Sequence, residues 1–222
     1  MIPALNESRS LPLVIAELPF ASVRDVVVVD NGSSDGTGAV AASLGCVVLV
    51  ETRRGYGSAC LAGLAHLAAR ARPPDVVAFL DADHSDHADE LPLVLAPILS
   101  GAADLAIGSR ALGVSERGAL LPQQRFGNAL AAFLIRRLYG ARVTDLGPFR
   151  AIRWDALVAI GMTDPGYGWT AEMQVKALKA GLRYAEVPVS YRRRTGRSKI
   201  AGTLRGTIGA GWKILYTVFR YA

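Results

Sequence analysis

The sequence predicts an α/β fold: a mostly parallel, Rossmann-like sheet with helices on both faces. Three observations carry this expectation. Short apolar runs recur in a strand, loop, helix order. The runs are continuous rather than alternating, as in strands buried on both faces. Two of them end in acidic residues, Asp30 and Asp81, at the strand ends where open α/β sheets bind ligands. At 222 residues, 51% of them hydrophobic, the chain can bury one substantial core. The expected organisation is one domain over residues 1–200 and an amphipathic helix over 201–222.

Taken in order, MIPALNE leaves almost nothing ahead of Pro3, so the first strand either begins upstream or is unusually short. SLPLVIAEL reads as a helix, the β-branched run 26–29 as a strand, and AVAASLG as the helix after its Gly/Ser turn. CVVLVE is a second strand, GYGSACLAGLAHLAARA a helix, DVVAFLDAD a third strand and ADLAIGSR a fourth. RPPD is a loop, LPLVLAPIL a helix, and GNALAAFLIRRLYG a helix with apolar character.

The net charge is +6, with Arg192, Arg193, Arg194, Arg197, Lys199, Arg205, Lys213 and Arg220 crowded near the end. That asymmetry favours an anionic ligand or surface. Nucleic acid is not expected, because no helix-turn-helix, zinc-finger or RNP signature is present. Cys46 and Cys60 lack Cys-x-x-Cys spacing, which suggests reduced thiols in a cytosolic protein. No segment reaches the roughly 18 apolar residues of a membrane span. The expected location is cytoplasmic, peripheral at the membrane face.

Asp81 and Asp83 end a buried strand, where unpaired carboxylates are costly without a compensating cation. Mg²⁺ or Mn²⁺ suits such a pair, since hard cations take carboxylates together with substrate phosphates. Asp89 and Glu90 fit the first turn of the following helix instead. His84 and His87 read as loop histidines rather than metal ligands.

The ordered set IPALNE, VVDNGSSDGT, RRGYGSACLAGL, FLDADHSD and IGSR resembles the family-two inverting glycosyltransferases of GT-A fold. RFGNAL, TDLGPFRAI, WTAEM and VPVSYRRRTGRSKIAGT are most similar to the dolichyl-phosphate mannose and glucose synthase branch. The resemblance covers nearly the whole chain. It implies transfer of a hexose from a UDP- or GDP-sugar to a polyprenyl phosphate, with inversion at the anomeric carbon. It also places Pro3, Asn6, Glu7, Asp30, Gly55, Gly57, Asp81 and Ala82 around the donor, and Asp81 and Asp83 at the metal. Asn6 and Glu7 equally suit a capping pair before the first helix.

Met173 stands where hydroxyl-directed relatives carry a basic aspartate. An alcohol must lose a proton as it attacks, whereas a phosphate monoester is mostly dianionic above its second pKa of about 6 and needs no strong base. The departure therefore favours a phosphate acceptor. Asp145, Glu172 and Arg194 are the catalytic candidates, Asp145 alternatively bonding Arg150 or a turn amide. The resemblance assigns the acceptor phosphate to Arg125, Arg194, Arg197, Ser198 and Lys199, and guanidinium forks suit phosphate oxygens.

In the tail, Leu204, Ile208, Gly211, Trp212, Leu215 and Phe219 form one stripe, with Lys213, Thr217 and Arg220 away from it. Such a stripe packs on a core or lies in a membrane interface. The reading is a metal-dependent glycosyltransferase that uses a nucleotide-sugar donor and a lipid-phosphate acceptor at a membrane surface. The alternatives are a small soluble acceptor such as a phosphorylated glycerate, a nucleotidyltransferase, and a non-catalytic nucleotide-sugar or membrane-binding module.

Overall fold

The computed structural model describes residues 1–196 and 204–221, without the side chains of 204–208 and 210. Strands β1 (Ile2–Ala4), β2 (Val27–Asp30) and β3 (Val47–Val50) pair in parallel in that order. Strands β4 (Val76–Phe79), β5 (Leu105–Ser109), β6 (Arg150–Arg153) and β7 (Tyr184–Pro188) pair in the order β4-β6-β5-β7. The two groups meet where the Met1 ammonium donates to the Ala78 carbonyl at 2.7 Å and the Leu80 amide donates to the Met1 carbonyl at 3.2 Å.

Alternate residues of β2 go to opposite faces, which is why its apolar run is continuous. Val28 joins a core with Leu11 and Val14 of α1 (Leu11–Ala16), Ala41 of α2 (Thr37–Ser43) and Val94 of α4 (Leu91–Leu99). Val27 and Val29 join the opposite core with Cys60 of α3 (Tyr56–Ala68), Leu157 of α6 (Trp154–Ile160) and Met173 of α7 (Trp169–Lys179). A third cluster ties Ile135 of α5 (Pro122–Tyr139) to Val175 of α7 and Val218 of α8 (Leu204–Arg220). The predicted α/β class with helices on both faces is observed.

One strand departs from the parallel expectation. β6 runs antiparallel to both β4 and β5. Its residues R-A-I-R have charged ends, yet Arg150 is fully buried and donates to the carbonyls of Leu146, Gly147 and Thr170. A guanidinium satisfied by main-chain oxygens can occupy a sheet interior, a context that residue type alone does not announce.

Helix α8 corrects the predicted stripe. Its buried face runs through Thr217 and Val218, with Ile214 partly covered, whereas Trp212 is 71% and Phe219 55% exposed. Thr217 tolerates burial because its hydroxyl donates to the Lys213 carbonyl at 2.8 Å. The Tyr139 hydroxyl fixes the helix by donating to the Val218 carbonyl at 2.7 Å. The Leu204 and Ile208 side chains lie outside the described residues. Among the described residues, no helix is long and apolar enough to cross a membrane.

Candidate active site

The loops after β1, β3 and β4 enclose a cavity of about 210 Å³ at the carboxyl edge of the sheet. Five of the predicted donor residues line it: Pro3, Glu7, Gly55, Asp81 and Ala82. Asn31 and Tyr167 also line it and were not foreseen. Asn31 builds one wall, because its side chain donates to the Glu51 and Arg53 carbonyls at 2.9 and 2.8 Å and accepts from the Gly55 amide at 2.8 Å. The signal available in the sequence was a polar residue directly after a buried strand.

Three donor candidates lie beside the cavity rather than in its wall. Asp30 accepts from the Ser33 amide at 2.7 Å and sits against Gly38. Asn6 accepts from the Ser34 amide at 2.7 Å, holding the first loop to the second. Gly57 is a glycine for a different reason than approach to a nucleotide, since a β-carbon there would collide with the Asp164 carbonyl. The Gly57 and Ser58 amides, first-turn donors that α3 itself leaves without partners, bond the Gly166 and Pro165 carbonyls at 3.2 and 2.8 Å. Gly55 lines the cavity, but there too a β-carbon would meet the same loop, at the Pro165 carbonyl, and its φ of 145° favours glycine as well.

Asp81 and Asp83 stand together at the cavity floor. Asp83 accepts from the Ser85 amide at 2.9 Å and pairs with Arg194 at 3.0 Å. Asp81 is different: its Oδ1 is buried with no hydrogen-bond partner among the described residues. Burial first, and then the Asp83 charge, raise its pKa to about 7, against the opposing effect of the Tyr56 hydroxyl. An orphaned carboxylate oxygen beside a second carboxylate is the donor set a hard divalent cation fits. No third His, Cys, Asp or Glu completes a metal cluster among the described residues, so a cation there would take its remaining ligands from phosphate and water. His84 faces away from this pair and bonds Glu17 at 2.9 Å.

A larger cleft of about 690 Å³ adjoins the first and shares Asp81, Asp83 and Arg194 with it. Arg125 of α5, an acceptor-phosphate candidate, and Asp145, a catalytic candidate, line this cleft. The Asp145 carboxylate, however, is occupied by Arg110, through contacts of 2.7 and 2.8 Å to the guanidinium and 2.7 Å to the backbone amide. It does not bond Arg150; the turn amide expected as its alternative partner is that of Arg110, and the same carboxylate holds the Arg110 guanidinium, which also lines the cleft. Arg110, also 5.0 Å from the Tyr191 ring centroid, is the cation that the sequence reading missed; its place at the end of a strand in IGSR was the available signal.

Glu172 requires the clearest correction. It is fully buried and lines neither cavity. Its oxygens accept from the Thr163 and Asp164 amides at 3.0 and 2.7 Å, from the Tyr221 hydroxyl at 3.0 Å and from Lys176 at 2.7 Å. Burial works against its charge, but these partners outweigh it and lower its pKa. Arg197, Ser198 and Lys199 lie outside the described residues.

A parallel-edged α/β sheet with a small acidic cavity opening into a cationic cleft defines a GT-A glycosyltransferase. The chain belongs to glycosyl transferase family 2, whose model matches residues 1–161. A glycosyltransferase of Mycobacterium tuberculosis without assigned activity is 41% identical over 97% of this chain and 96% of its own length. The undecaprenyl-phosphate mannosyltransferase of Micrococcus luteus is 33% identical, over 93% of this chain and 88% of its own. Among solved structures, glucosyl-3-phosphoglycerate synthase of M. tuberculosis, in complex with Mn²⁺, UDP and glucosyl-3-phosphoglycerate, superposes with a TM-score of 0.76 at 23% identity, covering 99% of this chain and 77% of that one.

Proposed function

We propose that this glycosyltransferase moves a hexose from a nucleoside-diphosphate sugar to a polyprenyl phosphate, with inversion. The observation that carries the acceptor class is the state of the carboxylates. Those lining the two cavities are Glu7, Asp81, Asp83 and Asp145 among the described residues. Asp145 is held by Arg110, Asp83 by Ser85 and Arg194, and Glu7 by the Ser10 hydroxyl at 2.7 Å and Arg194 at 3.4 Å. Asp81 is assigned to the cation. Asp86, buried nearby with both oxygens unpartnered among the described residues, lines neither cavity, and a lining with no carboxylate left to deprotonate an alcohol suits a nucleophile that arrives as an oxyanion.

In this reading Pro3, Glu7, Asn31 and Gly55 hold the nucleoside, while Asp81 and Asp83 hold Mg²⁺ or Mn²⁺. The cation would supply neutralisation of the diphosphate leaving group. Arg194, at the junction of the cavities, faces both phosphates, and Arg110 and Arg125 draw the acceptor phosphate into the cleft. The cleft's rim includes Gly211 and Ile214 of α8, and the exposed Trp212, Tyr216 and Phe219 on the same helix suit a lipid interface. The relative from M. luteus, named for undecaprenyl phosphate, supports the lipid.

A phosphorylated soluble acceptor is the second reading. It is favoured by the likeness to a synthase crystallised with phosphoglyceric acid. The test offers radiolabelled UDP-glucose and GDP-mannose, with Mn²⁺, to the purified chain with either undecaprenyl phosphate or 3-phosphoglycerate. Label in the extracted lipid is the expected result. Label confined to phosphoglycerate establishes the second reading, and transfer to a plain alcohol in preference to both overturns the phosphate assignment.

A further inference from the structure

We propose that Lys213 and Asp164 are positioning residues for the donor cavity, latching α8 to the loop that forms one of its walls. The inference rests on the nucleotide-sugar reading of that cavity. Lys213 Nζ lies 2.9 Å from Asp164 Oδ2, and the carboxylate is 7% exposed. The other Asp164 oxygen accepts from the Gly166 amide at 2.7 Å, which closes the loop into a tight turn. Helix and loop meet with no room to spare: a β-carbon at Gly168 would lie 2.5 Å from both Asp164 Oδ2 and Thr217 Oγ1.

The far side of this loop is the donor site. The Pro165 and Gly166 carbonyls receive the Ser58 and Gly57 amides at 2.8 and 3.2 Å, and the Ser58 hydroxyl adds a bond to Pro165 at 3.3 Å. These bonds fix the turn that begins at Gly55, and Gly55 and Tyr167 both line the cavity. A chain of contacts thus runs from Lys213 through Asp164 and the 164–166 carbonyls to the Gly55 turn. None of its members touches the acceptor cleft except α8 itself, through Gly211 and Ile214. The latch therefore acts on donor binding rather than on the acceptor or the reacting atoms.

Lys213→Met keeps the stem and removes the charge, and Asp164→Asn keeps an acceptor for Gly166. Backbone amide exchange on the full chain should show Gly57 and Ser58 exchanging about fivefold faster in either variant, with Val28 unchanged, as expected for loss of one partly exposed ion pair. Calorimetry with UDP and with GDP, each with Mn²⁺, should show affinity weakened about fivefold, with donor KM raised and kcat at saturating donor retained. Lys213→Arg should restore both readouts. Wild-type exchange at Gly57 and Ser58 in both charge-removing variants overturns the latch, as does unaltered nucleotide affinity. If the wild-type chain binds neither nucleotide, the donor reading falls, and the exchange rates alone decide whether the latch exists.

Discussion

At Glu172 the chemistry of a carboxylate serves a turn and not a reaction. A buried acid that accepts two amides, two hydroxyls and a lysine has no capacity left for a substrate proton. Glu172→Gln should therefore cost on the order of 1–3 kcal/mol in a denaturant titration while leaving kcat per folded molecule unchanged. Asp145→Asn should do the reverse, lowering turnover by loosening Arg110 with a smaller effect on the midpoint. A large loss of kcat in Glu172→Gln at full folding would return it to the candidates for catalysis. Asp81 and Asp83 were legible in the sequence because the end of a buried apolar run declares itself locally, whereas Arg125, on α5, and Arg194 came from the family resemblance. For Asp145 a turn amide was foreseen and is found at Arg110, but the Arg110 guanidinium, like the Thr163 amide that holds Glu172, is brought in by tertiary structure.

Helix α8 is amphipathic in sequence and amphipathic in space, but the two faces differ. The pattern of large side chains marked the outward face, while Thr217 and Val218 went inward against α5 and α7. A hydroxyl that bonds its own helix counts as apolar for packing, and a pattern that scores threonine as polar misplaces the buried face. Strands β2 to β4 were readable from their valine-rich runs and β5 from its apolar start, whereas β6, four residues with an arginine at each end, was not. Replacing Trp212 and Phe219 together with serine should lower co-sedimentation with anionic phospholipid vesicles while leaving the melting temperature in place. Val218→Ser should lower the melting temperature, because that side chain is fully buried. Equal vesicle binding by the wild type and the double variant would remove α8 from the membrane surface.

Over the whole molecule, the first helix and the last strand's exit are tied across the site. Arg192 reaches Glu17 at 2.8 Å, and Arg194 bridges Asp83 and Glu7. Burial opposes the Glu17 charge, yet Arg192 and His84 outweigh it and hold the pKa at about 2, below the ordinary 4.5. A depressed acid stabilises the fold above its unfolded pKa and loses that contribution as the pH falls through the folded one. Glu17→Gln should be less stable than wild type at pH 7, by on the order of 1 kcal/mol, and the gap should close as the pH is lowered toward 2. Urea midpoints across that range check it, and a gap independent of pH would show that the pair contributes through packing alone.

The position of β6 also sets an order of assembly. β4 and β5 are neighbours in sequence but not in the sheet, since β6 lies between them. A ribosome releases 76–79 and 105–109 well before it releases 150–153, so both strands present open edges while the piece that joins them is still being made. A fragment that stops short of Arg150 should therefore expose the β4 and β5 edges that β6 covers in the finished chain. For the cell, the vulnerable interval of this protein should fall during its synthesis.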